Sequence, residues 1–200
     1  MLPILEKALG RVVELPKRRI SSTCEFEKAF PGVKDLFIDA TERNTERPKS
    51  KKLNTKRFSG KKKVHTRKNT IICDINKKIL FVSPTKDGKM HDLTQLKNTG
   101  IIEAIPKNRA LWVDKGYQGL AKLTDAPVMM PTKKTKRKPL SPQQKSDNYF
   151  ISSCRMVVEN AICGIKRLAV TTNKYRNKLG QDDKMFFLAA CLWNFHLQYK

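Results

Sequence analysis

Asp35-Leu36-Phe37-Ile38-Asp39-Ala40-Thr41-Glu42 is the stretch on which the fold turns. Leu36, Phe37 and Ile38 form a short apolar run, the pattern of a strand buried on both faces. The run ends in a carboxylate, Asp39, and a strongly basic segment follows. A buried strand that delivers an acid at its exit, beside a basic loop, is suited to holding a metal ion near a phosphate. Two later stretches answer it. Ala110-Leu111-Trp112-Val113-Asp114-Lys115-Gly116-Tyr117 is again an apolar run closed by an acid, and Arg155-Met156-Val157-Val158-Glu159 lies inside a long helical pattern. Asp39, Asp114 and Glu159 are therefore candidates for one site.

Composition narrows the partners. The chain has 200 residues, enough for one domain with a core, and carries 42 Lys plus Arg against 18 Asp plus Glu, a net charge of +24. Such an excess suits a polyanion, either nucleic acid or an anionic membrane surface. The longest apolar run, residues 185–193, has nine residues, well short of the roughly 20 that span a bilayer. Glu6 interrupts the start and no small-residue cleavage site follows, so no signal peptide is read. Five cysteines without CxxC spacing and only His65, His91 and His196 leave little for a zinc site. They read as buried thiols of a reduced, cytoplasmic protein.

Residues 1–34 read as a lead-in of two short helices, the second capped by Thr23 and stopped by Pro31-Gly32. Residues 43–68 hold twelve Lys or Arg against one acid, Glu46. A charge run of this kind is ordinarily a solvated loop. Its position directly after Asp39, and the weak alternation of Lys62-Lys63-Val64-His65-Thr66-Arg67-Lys68, favour a basic strand that contacts a DNA backbone. Residues 70–75 and 79–83 read as a hairpin joined by Asn76-Lys77-Lys78, followed by a turn at Asp87-Gly88. Asp92 and Gln95 read as a capping-box variant opening a helix to about Glu103, and helix capping is favoured over catalysis for His91-Asp92. Residues 109–114 and 128–130 are strands. A second basic tract, residues 133–138, precedes Pro139 and Pro142, which are expected to keep their stretch irregular.

A long helix is expected over about residues 147–168, with Ile151, Cys154, Val158, Ala161, Ile162, Ile165 and Leu168 as its buried stripe. At about 100° per residue, Arg155, Glu159 and Lys166 share a neighbouring face. Arg155 and Glu159 alone would be an ordinary i,i+4 ion pair. A last helix, residues 182–199, is apolar on most sides and reads as core. The order of elements predicts an α/β fold, a mixed sheet flanked by helices.

These phrases resemble the catalytic domain of the DDE transposases of bacterial insertion sequences, in the branch similar to the harbinger-type DDE endonuclease domain. The matching phrases, in order, are Phe37-Ile38-Asp39-Ala40-Thr41-Glu42, Ser59-Gly60-Lys61-Lys62-Lys63-Val64-His65-Thr66 and Asp114-Lys115-Gly116-Tyr117-Gln118-Gly119. A signature of tyrosine, two residues, arginine, three residues, glutamate, six residues and lysine is met by Arg155, Glu159 and Lys166. Ser152 stands in the tyrosine position. The resemblance covers about residue 15 to the C-terminus. It implies a ribonuclease H-like fold, with residues 35–200 as the catalytic domain. It implies that Asp39, Asp114 and Glu159 are catalytic ligands of Mg2+, with Mn2+ as substitute, and that Arg155 and Lys166 contact DNA. Lys61, Lys62, Arg67, Lys133 and Lys136 join them as DNA-binding candidates from the basic tracts.

The implied chemistry is hydrolysis at transposon ends followed by transfer of the 3′-hydroxyl into target DNA. The implied partner is double-stranded DNA, bound by a homo-oligomer in a cytoplasmic, nucleoid-associated setting. Only 38 residues precede Asp39. Relatives usually carry a helical DNA-recognition region there, so a truncated or split-frame copy working with a separate N-terminal fragment is expected. A non-catalytic basic DNA-binding remnant and a plain metal-dependent endonuclease are the alternatives.

Overall fold

The computed structural model describes residues 2–135, 139–177 and 181–200. Strand β1 (Asp35–Asn44) is the centre of the sheet. On one side it pairs antiparallel with β3 (Val64–Cys73), from Phe37↔Cys73 out to Asn44↔Thr66. On the other it runs parallel to β6 (Ala110–Trp112), with Phe37 opposite Trp112, and β6 pairs parallel with β7 (Val128–Met129). Three short strands, β2 (Phe58–Ser59), β4 (Ile79–Val82) and β5 (Lys86–Asp87), share the outer edge of β3. This mixed, helix-flanked sheet has the ribonuclease H-like form expected of the sequence.

Side chains alternate across a strand with a period of two. Leu36 and Ile38 enter the apolar layer built with Phe26, Phe30, Leu96 and Ile101. These come from α2 (Thr23–Ala29), its C-cap, α4 (Asp92–Lys97) and α5 (Ile101–Ala104). Phe37 enters the opposite layer with Leu9, Val158, Ile162, Phe186 and Trp193. That layer belongs to α1 (Leu2–Leu9), α6 (Pro142–Ile165) and α8 (Asp182–Gln198). A four-residue turn of helix, α7 (Ala169–Thr172), links α6 toward α8. Leu36, Phe37 and Ile38 are 0–1% exposed, as a strand buried on both faces requires. Where α6 crosses α8, a Cβ on Gly164 would lie 2.2 Å from the Trp193 ring, so the close approach requires glycine.

Several boundaries differ from the sequence expectation, each for a local reason. β1 does not end at Asp39. It continues to Asn44 because β3 pairs every residue from Ala40 onward. The segment 43–68 is not one loop but the end of β1, a helix α3 (Lys51–Arg57), β2 and the start of β3. The cap of α2 is Ser22, whose Oγ accepts from the Glu25 N–H, rather than Thr23. Pro142 does not disrupt its stretch. It occupies the first turn of α6, where no amide donor is needed, behind a full capping box of Ser141 and Gln144. The helix therefore starts about five residues earlier than expected. Its predicted stripe is buried at Val158, Ala161, Ile162 and Ile165, half-buried at Ile151 and Cys154, and lost at exposed Leu168.

The helix expected from Asp92 breaks at Gly100, where φ is +71°, giving α4 and then α5. Only Cys73 and Cys191 of the five cysteines are buried. No helix among the described residues is long and apolar enough to cross a membrane.

Candidate active site

The parallel register fixes the first two acids. Phe37 and Trp112 are partners across β1 and β6, their rings stacked at 5.8 Å, with Trp112 Nε1 donating to Asp35 Oδ1 at 2.8 Å. Two residues on along each chain are Asp39 and Asp114, side by side on the same face as Phe37 and Trp112. That is the face covered by α6, the helix that brings Arg155, Glu159 and Lys166. Asp39, Asp114, Glu159, Arg155, Lys166, Lys61 and Lys62 all line one open cleft of about 950 Å³.

Asp39 is more enclosed than Glu159. Its Oδ1 accepts from the Ala40 N–H at 2.8 Å, and its side chain is 20% exposed. Asp114 lies just past β6, where its Oδ1 accepts from the Gly116 N–H at 2.8 Å and caps the short 3-10 turn Lys115–Tyr117. Glu159 is more open, its side chain 55% exposed. Between the acids stands Arg155, its Nη2 3.9 Å from Asp39 Oδ2 and 3.8 Å from Glu159 Oε1. Arg155 Nε is buried without a hydrogen-bond partner among the described residues. Burial, and then the neighbouring Lys62 charge, lower the pKa of Lys166.

Burial pushes the Asp39 carboxyl from an ordinary 3.8 up to about 6. The Ala40 N–H and Arg155 oppose that shift, and the Asp114 charge adds to it. The folded state thus keeps a proton on Asp39 that the unfolded chain has already released. Metal-free protein should lose stability as pH rises from 3.8 to about 6, by at most about 3 kcal/mol at 1.36 kcal/mol per pH unit. Asp39→Asn removes the charge and keeps the shape. We expect the variant to be more stable than the wild type at about pH 7.5 in chelator and equal to it at about pH 4. Urea denaturation at the two pH values measures this. A variant less stable at the higher pH would mean that Arg155 already compensates the Asp39 charge.

Two carboxylates side by side in a half-buried cleft, with a third on a facing helix, form an all-oxygen donor set. That set fits a hard divalent cation. As the side chains stand, no three His, Cys, Asp or Glu groups among the described residues converge closely enough to hold one ion. Glu159 is turned to Arg155, and its exposed side chain has room to rotate inward.

The remaining sequence candidates separate clearly. Lys61 and Lys62 are exposed on the cleft rim, where Lys62 Nζ also donates to Glu42 O at 3.2 Å. Arg67 is not brought to the cleft. It is half-buried in ion pairs with Asp87 at 2.8 Å and Asp182 at 3.0 Å. Lys133 is exposed outside the cleft, and Lys136 falls outside the described residues. Ser152 is exposed on α6.

The cleft also holds groups that sequence reasoning passed over. Asp92 does not cap its helix. His91 is the N-cap, without a side-chain bond, and Asp92 Oδ1 instead accepts from Lys68 Nζ at 2.7 Å. Gln95, the other half of the expected box, is buried and donates to Lys68 O and Ser83 Oγ. Lys68 is itself buried, reaches Glu42 Oε1 at 3.3 Å, and is Glu42's direct partner across β1 and β3. The strand register, invisible in the sequence, brings Glu42 and Lys68 together.

The chain is similar to known proteins. The family model for the DDE superfamily endonuclease matches residues 38–194. A probable transposase for insertion sequence element IS702, from Microchaete diplosiphon, is 30% identical over 208 residues, covering 98% of this chain and 72% of that protein. No solved structure matches significantly. Endonucleases of this family act with a divalent metal. With a family match over most of its length and a transposase relative across nearly all of it, the chain belongs to the DDE superfamily endonucleases, among the transposases of insertion sequences.

Proposed function

We propose that this chain nicks double-stranded DNA at the ends of a mobile element and joins the freed 3′-hydroxyl to target DNA, with Mg2+ held by Asp39, Asp114 and Glu159. Mn2+ would substitute. The observation that carries the reading is the register Phe37↔Trp112, which puts Asp39 and Asp114 together beneath α6 and its Glu159.

Bound divalent metal supplies the charge that activates an attacking water or 3′-hydroxyl and stabilises the leaving 3′-oxygen. The protein's own part is positional. Asp39 and Asp114 are set by their bonds to the Ala40 and Gly116 amides, so they need little reorganisation. Glu159 would complete the donor set by turning from Arg155. Arg155 would then be free to face the cleft as a cation for the scissile phosphate or its neighbour. Lys61, Lys62 and the neighbouring Lys166 receive the flanking phosphates. These contacts position the duplex and read no sequence. Attack by water or a 3′-hydroxyl on the same phosphorus geometry makes nicking and joining two uses of one site, with no covalent enzyme intermediate.

The test is strand transfer. A labelled duplex carrying the element's end is incubated with the chain, Mn2+ and a plasmid. Label joined covalently to the plasmid supports the reading. Nicked label that never joins would make the chain a hydrolase alone.

A further inference from the structure

Within the reading just given, the structure points to a further residue. Five carboxylates line the cleft: Asp39, Asp114 and Glu159, with Glu42 and Asp92 beside them. Glu42 is taken up by Lys68 and Thr66, which leaves Asp92, the first residue of α4. Lys68 Nζ fixes it. That ammonium is bonded to Asp92 Oδ1 at 2.7 Å and Met90 O at 2.9 Å, and is 3.3 Å from Glu42 Oε1. With Oδ1 committed, Oδ2 turns toward Asp114. A Cβ built on Gly116 would lie 2.8 Å from Asp114 Oδ1 and 2.9 Å from Asp92 Oδ2. The two carboxylates therefore crowd one point, and the side-chain space that Gly116 leaves empty is the space they share.

A second observation points to the same place. Tyr117 is 0% exposed, and its hydroxyl has no hydrogen-bond partner among the described residues. The Thr70 hydroxyl approaches it without a well-formed bond, and the charges of Asp39, Asp92 and Asp114 all act on it. A buried phenol left unpaired costs on the order of 1–3 kcal/mol unless some group takes its proton. Here three carboxylates surround it. It is a donor suited to a carboxylate drawn toward a cation, the usual outer support of a metal ligand.

We propose that Asp92 is a fourth carboxylate of the site, its Oδ2 sharing a hydrated divalent cation with Asp114, and that Tyr117 supports the cluster from beneath as a positioning residue. Asp92 takes the cation through water or directly, while Lys68 keeps it from turning away. The basic segment after β1 thus contributes an internal tether as well as a DNA surface.

The experiment is calorimetric titration of the purified full chain with Mn2+, with no DNA present. Wild type, Asp92→Asn and Asp39→Asn are compared, and each is melted in chelator. We expect Asp92→Asn to bind about 10–100-fold more weakly, with an unchanged or higher metal-free melting temperature. Wild-type affinity in Asp92→Asn, alongside lost affinity in Asp39→Asn, would overturn the proposal and leave the three-acid reading standing. Weaker binding that comes with a melting temperature lowered by several degrees would make Asp92 a fold element tied to Lys68, and would also overturn it. Wild-type affinity in Asp39→Asn would remove the three-acid reading itself, and this proposal with it.

Discussion

Asp39→Asn and Asp114→Asn each slow metal-dependent nicking of DNA by at least about a thousandfold, while nonspecific DNA binding stays close to the wild type. A divalent ion contributes several kcal/mol of charge stabilisation in phosphoryl transfer, and about 4 kcal/mol corresponds to three decades of rate. An amide in place of either acid is neutral and holds its backbone bond, so the fold is kept and the charge is lost. Glu159→Gln should fall in the same class, because α6 presents it across the cleft from the other two. Binding survives because it comes mainly from the lysines on the rim and the net charge of +24. Single-turnover nicking of end-labelled duplex, with filter binding on the same samples, measures both. Near-normal nicking by any one variant would remove that residue from the set of ligands.

Asp182→Ala destabilises the protein by about 3–5 kcal/mol, lowering the melting temperature by roughly 6–20 °C. Asp182 begins α8 and is 7% exposed. Its Oδ2 is 3.0 Å from Arg67 Nε and 3.8 Å from Arg43 Nη2, and its carbonyl accepts from Arg43 Nη1 at 2.9 Å. Arg43 is 5% exposed, lies 4.3 Å over the Phe186 ring and donates to Asn69 Oδ1 at 2.7 Å. Burial, partly offset by Asp182, lowers its pKa to about 10. Removing Asp182 leaves a buried guanidinium without its nearest charge, and a second arginine with only Asp87. The cost of such an orphan exceeds the worth of the pair itself. Urea denaturation measures it, and a loss below about 1 kcal/mol would show that Asp183, which is paired with Arg18 and accepts from Thr85, can take over.

The acids were legible because each follows something the sequence announces. Asp39 and Asp114 come behind apolar runs, and Glu159 sits beside a helical stripe. The hairpin of β3 and β4, the short β7 and the apolar α8 were legible for the same reason. Residues 40–44 were not. Ala-Thr-Glu-Arg-Asn looks like a loop, yet its polar side chains find partners on β3 and α8, such as Thr66 and Lys68 for Glu42 and Asp182 for Arg43. The first five residues of α6, 142–146, were missed because they show no apolar stripe. They need none, since this turn is largely exposed and is started by the Ser141–Gln144 capping box.

Asp92 was misread because an acid at a helix start looks like a cap. Its true partner, Lys68, is 24 residues away on β3 and meets it only in the folded chain. Arg67 was misplaced for the opposite reason. Alternation along β3 marks a strand but does not tell which basic residues face DNA and which are consumed by Asp87 and Asp182.

Asp39, Asp114 and Glu159 are proposed to hold one metal centre. Anomalous diffraction from a crystal of the full chain soaked in Mn2+ is the sharpest test. A manganese peak is expected between the Asp39 and Asp114 carboxylates, with Glu159 rotated away from Arg155 to meet it. A crystal with manganese bound elsewhere and Glu159 still against Arg155 would contradict it.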